Sequence, residues 1–393
     1  MQYDFDQVIE RRQTDCLKWD AAEKRVGAKD VLPLWVADMD FQVAAPINAA
    51  LQQRVAHGIF GYPIISDACY DAVIGWMQRR HQWPVAKEWI TFVPGVVPAL
   101  HWAVMAYTQP GDKVIVQPPV YYPFFKAARA NGCEVVENPL IYENGRYVMN
   151  FAELEQLFDA RTKLFLLCSP HNPVGRVWTR AELTRLGELC RKHNVLICSD
   201  EIHADLVFPG ATHIPLAAVS DDIAQITITC NAPNKTFNIA GLSAGFVIIP
   251  NPQRFAEFGN VQQKIGEVSV NLLGLLAMEV AYTEGEEWFR QLMAYLQGNL
   301  AFLTDFIGRH LPQIKVIRPE SNFLVWLDCR ELELNDAELK DFLLQQAHVW
   351  LSAGTDFGSK EPGFQRLNFA CPRATLAEAL NRIAQAVKNV VTT

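Results

Sequence analysis

Seven short apolar runs between residues 89 and 249 constrain this chain more than any other feature. They occupy 89–93, 113–116, 133–136, 163–168, 195–199, 226–230 and 244–249. A run without polar alternation is buried on both faces, as in the central strands of a sheet covered by helices. Turns follow the runs, and helical patterns lie between several of them, reaching Tyr107 in one case and spanning 182–193 in another. The repetition predicts an α/β fold built on one large, mostly parallel, seven-stranded sheet.

The flanks read differently. Helices are expected at 46–56, opened by Pro46, and at 67–81, where Tyr70, Val73, Ile74 and Met77 share a face. From residue 286 a long amphipathic helix runs to 310, with Phe289, Leu292, Leu296, Leu303 and Phe306 near one face. Strands at 315–318, 322–327 and 365–369 and helices at 336–346 and 376–390 follow. This pattern predicts a large domain over 50–285 and a smaller α+β domain formed by 286–393 with residues 1–49. A chain of 393 residues, half of them hydrophobic, can bury two such cores.

Charge and cysteine narrow the function classes. The net charge of −8 and the lack of a basic run give no footprint for nucleic acid or an anionic membrane surface. The N-terminus is polar, and no 18-residue apolar run is present, so no membrane partner is expected. Nine scattered cysteines without a CxxC pair suit a reducing compartment, and a cytoplasmic location is expected, with no metal site.

Polar residues gather where the apolar runs end. Gly95, Val96 and Val97 follow the first run, Tyr121 the second, Asn172 the fourth, and Asp200 and His203 the fifth; Lys235 follows the sixth. In a parallel sheet such residues open on one edge. Lys235 is the only charged residue between Asp222 and Arg254, and a lysine in apolar surroundings suits a Schiff base with an aldehyde cofactor. The set fits a phosphorylated aromatic aldehyde. The amides of Gly95, Val96 and Val97 would hold the phosphate and Tyr121 would cover a ring face. Asn172 would donate to the ring hydroxyl, and Asp200 would keep a pyridinium nitrogen protonated.

The segments Asn172-Pro173-Val174-Gly175, Ser199-Asp200-Glu201-Ile202-His203 and Asn234-Lys235-Thr236-Phe237-Asn238 resemble, in order and spacing, the fold-type I pyridoxal-phosphate enzymes. Four stretches are similar to the MalY/PatB-type cystathionine β-lyases within the class-I/II aminotransferase superfamily. They are Trp35 to Phe41, Phe60-Gly61-Tyr62, Ser199 to His203 and Arg366 to Arg373. The resemblance implies an aspartate-aminotransferase-like fold and pyridoxal 5′-phosphate as cofactor. It implies that Arg366 grips the substrate α-carboxylate, with Asn322 as a further lining residue. Ala37 and Asp38 would lie in a flexible segment over bound substrate. His203 would stand near the ring hydroxyl. Tyr62 would reach the partner's cofactor phosphate across a homodimer interface. The chain departs from the pattern at Ala232, Asn234 and Ser243, where relatives carry serine, serine and arginine. Phosphate binding then leans on the Gly95 loop, Tyr62, and Ser243 or Thr229.

The implied reaction is a carbon–sulfur β-lyase step. Lys235 removes the Cα proton, Lys235 or Tyr121 protonates the departing thiolate, and L-cystathionine or a related S-substituted cysteine yields thiol (homocysteine), pyruvate and ammonia. The same residues also serve an aminotransferase. A third reading adds a regulator-binding role to the lyase.

Overall fold

The computed structural model describes residues 1–266, 270–360 and 362–391. The large sheet has seven strands: β1 Ile90–Val93, β2 Lys113–Val116, β3 Glu134–Glu137, β4 Thr162–Cys168, β5 Leu196–Asp200, β6 Thr227–Asn231 and β7 Gly245–Ile248. Their spatial order is β1-β7-β6-β5-β4-β2-β3. The pairs from β6 through β3 are parallel, and β7 runs antiparallel to both β1 and β6. All residues of β5, β6 and β7 are buried, which is why these strands read as unbroken apolar runs. With β7 reversed, the carboxyl ends of β1, β2, β4, β5 and β6 share one edge with the start of β7. Register confirms the alignment: Gly245 lies opposite Val93, Phe246 opposite Asn231, and Asp200 opposite both Cys168 and Cys230.

Helices cover the sheet. They include α1 Ala45–His57, α2 Asp67–His81, α3 Val96–Tyr107, α4 Arg180–Lys192 and α5 Leu272–Glu284. Ser66 caps α2 by accepting from Cys69 N, and Thr179 with Glu182 forms a capping box on α4. The expected helix face of α2 is broader than Val73 and Met77, because Cys69, Ala72 and Trp76 are buried with them.

The rest of the chain builds a second sheet from β8 Lys315–Ile317, β9 Leu324–Asp328, β10 Ser352–Ala353 and β11 Phe364–Asn368, in the order β8-β9-β11-β10. The long helix α6 Glu286–His310 packs on β8, and α7 Arg373–Val391 packs on α6. Two differences from expectation have local causes. Residues 336–346 are not one helix: Asp336–Asp341 is α-helical and Phe342–Gln346 is a π-helical turn. Asn322 sits at φ 65°, so the strand expected from 322 begins at Leu324. An unexpected hairpin, Ile141–Glu143 with Arg146–Val148, turns on Asn144 and Gly145, both at positive φ.

Candidate active site

The site lies on the shared sheet edge. Lys235 hangs in an irregular loop between β6 and the short 3₁₀ turn Ala240–Leu242. Its Nζ donates to Ala37 O at 2.6 Å. Burial pulls the ammonium pKa down to about 8; Asp38 and Asp200 oppose the shift and Arg366 adds to it. Asp200 ends β5 at 6 % exposure, and its Oδ1 accepts from Ile202 N at 3.1 Å. Burial pushes this carboxyl up to about 7 against the pull of Lys235. A buried carboxyl with so few donors is suited to a further N–H donor from a ligand. His203 is buried with its Nδ1 unpartnered; burial, then the charges of Lys235 and Arg366, lower it to about 3, so the ring is neutral.

Arg366 reaches the same space from β11. Its Nη1 donates to Asn172 Oδ1 at 3.0 Å, and its Nη2 donates to Trp35 O at 2.7 Å and Ser352 Oγ at 3.3 Å. Its Nε is buried without a partner, and the guanidinium lies 4.7 Å over the Phe357 ring. Among the described residues no carboxylate forms an ion pair with it, and burial pulls its pKa down to about 10. A buried cation with neutral partners is a site for an anion. The same contact orients Asn172. A guanidinium only donates, so the amide oxygen must face Arg366, which leaves the Asn172 NH₂ free to donate. Gly175, at φ 70°, brings this loop against Pro319, where a Cβ would collide.

The Gly95 loop sits at the same edge. Gly95 is the N-cap of α3, whose first turn has no side-chain cap, so its N–H groups are free for an anion. A Cβ on Gly245 would lie 3.4 Å from Gly95 Cα and 3.3 Å from Ala232 Cβ, so small residues at these positions keep the strand ends close. Tyr121 follows β2, partly buried, with its ring 4.9 Å from that of Tyr122. Burial raises its phenol, and it lies within the fields of Arg366 and Asp200. Asn322 is fully buried, its Oδ1 on Leu324 N and its Nδ2 unpartnered. Thr229 Oγ1 is buried and unpartnered, while Ser243 is exposed. Tyr62 is 102 % exposed in the single chain, beside the exposed Ile59, Phe60 and Ile64, and contributes nothing to its own chain's site.

Sequence reasoning missed what holds the segment around Ala37. Asn368 Nδ2 donates to Val36 O and Asp38 O, and Asn238 bonds Met39 N, Met39 O and Phe41 O. The Asp38 and Asp40 carboxylates are engaged by Arg11 and by the fully buried Lys18. The segment is thus pinned from both sheets and from the N-terminus. The acids flanking Met39 were a visible signal; their cationic partners, far away in sequence, were not.

The donor set fits a planar phosphorylated pyridine aldehyde. It offers a buried amine with its pKa lowered to about 8, a carboxyl awaiting a donor, a free amide donor, an open helix N-terminus and a buried guanidinium. Comparison with known proteins agrees. The family described as aminotransferase class I and II matches residues 29–383. Cystathionine beta-lyase PatB of Bacillus subtilis is 46% identical over 98% of this chain and 99% of its own length. The solved structure of cystalysin from Treponema denticola, which contains pyridoxal 5′-phosphate, superposes with TM-score 0.96 and 35% identity, covering 99% of this chain and 100% of that one. The pyridoxal-phosphate-bound C–S lyase of Staphylococcus hominis superposes with TM-score 0.92 and 30% identity over 98% of each chain.

Proposed function

This chain belongs to the class I and II aminotransferase family, and from that premise we propose that it is a pyridoxal-phosphate-dependent carbon–sulfur β-lyase. The observation that carries the reading is the full-length likeness to a cystathionine β-lyase, joined to a site where burial lowers the pKa of Lys235 to about 8 within the fields of Asp200 and Arg366. Bound pyridoxal phosphate supplies the covalent anchor for the substrate amine and an electron sink for the Cα–H bonding pair. The chain's residues do the rest. Arg366 binds the α-carboxylate and fixes the amino acid's orientation. Lys235, whose depressed pKa leaves a useful fraction of free amine near neutrality, takes the Cα proton. Lys235 or Tyr121 then returns a proton to the sulfur as the Cβ–S bond breaks. Asp200 and Asn172 hold the ring, and the amides of Val96 and Val97 take the phosphate. The segment from Trp35 to Phe41 closes the site against water. L-Cystathionine plus water gives homocysteine, pyruvate and ammonia.

The same reading makes the enzyme a cytoplasmic homodimer. Nine free thiols, eight of them buried, suit a reducing compartment, and among the described residues no helix is long and apolar enough to cross a membrane. The exposed apolar segment Ile59, Phe60, Tyr62 and Ile64 supports an arm that enters the partner, placing Tyr62 on the partner's phosphate. The domain division at residues 50 and 285 is part of this proposal, supported by the separate sheets on either side.

An amino-acid substrate supplied without any keto acid separates lyase from transaminase. A lyase keeps turning over. Product formation that stops at about one equivalent per site, with the cofactor left in its amine form, would mark a transaminase instead.

A further inference from the structure

Behind Lys235 the structure holds a polar cluster that the reaction as described does not use. Asp205, on the loop after β5, is fully buried, yet donors surround it. Thr236 Oγ1 donates to its Oδ2 at 2.7 Å. Trp76 Nε1 donates to its Oδ1 at 3.0 Å, and His81 Nε2 lies 2.8 Å from the same oxygen. Trp76 and His81 belong to α2, Asp205 follows the strand that ends in Asp200, and Thr236 adjoins Lys235. One carboxylate thus ties a surface helix, the Asp200 loop and the lysine loop together. Its pKa is lowered despite burial, because these donors favour the anion.

The lysine loop needs such a tie. It has no regular secondary structure, and Asn234 Oδ1 is unpartnered. The residue after Thr236, Phe237, is wedged among Trp76, Tyr282, Trp288 and Phe289 at centroid separations of 5.6 to 6.1 Å. Phe237 fixes where the loop goes by apolar contact, and Asn238 ties its far end to Met39 and Phe41, but neither holds the side chain of Thr236 next to Lys235. The Thr236 hydroxyl bond to a carboxylate is directional and charge-assisted.

We propose that Asp205 and Thr236 are positioning residues, which set the aim of the Lys235 amine through the Thr236 Oγ1–Asp205 Oδ2 bond, with Trp76 and His81 fixing the carboxylate. The inference rests on Lys235 being the cofactor-linked lysine. A misaim of about 1 Å at a reacting group can cost on the order of a hundredfold in rate.

The test uses the full chain, stripped of cofactor and then mixed with pyridoxal phosphate. The rate at which the coloured cofactor–lysine linkage appears is followed, then kcat, KM and melting temperature are measured. T236V keeps the side-chain shape and removes the hydroxyl; T236S keeps the hydroxyl. The linkage rate and kcat of T236V should each fall about tenfold or more, with KM within about twofold, while T236S stays within about twofold of the unaltered protein throughout. A merely structural role would lower the melting temperature of T236V and leave linkage rate and kcat per folded molecule unchanged; that result overturns the proposal. So does equal impairment of T236V and T236S. Should T236V fail to fold, H81L, which removes a donor from the other carboxylate oxygen, carries the same prediction and the same refutation. K235A keeps the two readings apart. A linkage that still forms in K235A sinks the lysine assignment itself. A linkage lost in K235A but normal in T236V sinks only the positioning role.

Discussion

In the proposed mechanism Lys235 acts as base and cofactor anchor only when its amine is neutral, and burial favours that form. Burial lowers its pKa to about 8 from the ordinary lysine value of 10.5. Below about 8 the amine is protonated and unreactive, and above it the free amine dominates. In cofactor-free protein, the rate of pyridoxal phosphate capture should climb with pH to a midpoint near 8 and then level off. Stopped-flow absorbance across the range checks this, and a midpoint near 10.5 would show that burial is not felt by the amine. Lys235, Asp200 and Asn172 were legible as residue types at strand ends, whereas Arg366, in the middle of β11, was marked only by the family resemblance. The mutual orientation of the four was not legible. That Arg366 turns the Asn172 oxygen toward itself, and so frees the amide to donate, depends on a contact between β11 and the β4 loop, which spacing cannot reveal.

Among the elements, the segment from Trp35 to Phe41, proposed to cover the substrate, is held by a buried charge cluster. Lys18 is fully buried between Asp40, at 2.7 Å, and Asp38, at 3.5 Å. Arg11 completes the cluster at 2.6 and 2.7 Å. Replacing Lys18 with Met fills the space and leaves buried carboxylate undercompensated, at a cost of about 3 kcal/mol. Urea unfolding should show that loss, together with a raised KM as the segment loosens; a loss under about 1 kcal/mol would mean that Arg11 alone suffices. Asp40 has its pKa lowered and Lys18 has its pKa raised in the fold. The pair's contribution is therefore complete at neutral pH. It is lost as pH falls through the depressed Asp40 value, or as pH rises through the elevated Lys18 value. Little of this was readable in advance, because a lysine in a short polar helix reads as solvated until the fold buries it. The strands were readable, since burial on both faces writes an apolar run whatever the chain direction. For the same reason the antiparallel course of β7 was not. The hairpin at Asn144 and Gly145 carries an Asn-Gly turn signal, but its three-residue strands are too short to show an alternating pattern.

At the scale of the whole molecule, one chain is an incomplete enzyme under the proposed reading. Tyr62 stands fully exposed with a patch of apolar neighbours. If it serves the partner's phosphate, K235A and Y62A chains expressed together should form hybrid dimers in which one site carries both defects and the other neither. Random pairing then restores about a quarter of the normal activity, although each variant alone is impaired. Activity no higher than the sum of the two separate variants would place Tyr62 in its own chain's service or in none. The sheet edge and its chemistry follow from the repeated strand–turn–helix pattern, whereas the choice of reaction follows from likeness to carbon–sulfur lyases over the full chain. Product analysis tests that choice of reaction without intermediaries. The cofactor-loaded protein is incubated with L-cystathionine, and pyruvate and free thiol are counted over many turnovers. A carbon–sulfur β-lyase releases both products in one-to-one ratio and continues without added keto acid; fully loaded protein that releases neither pyruvate nor thiol is not such a lyase.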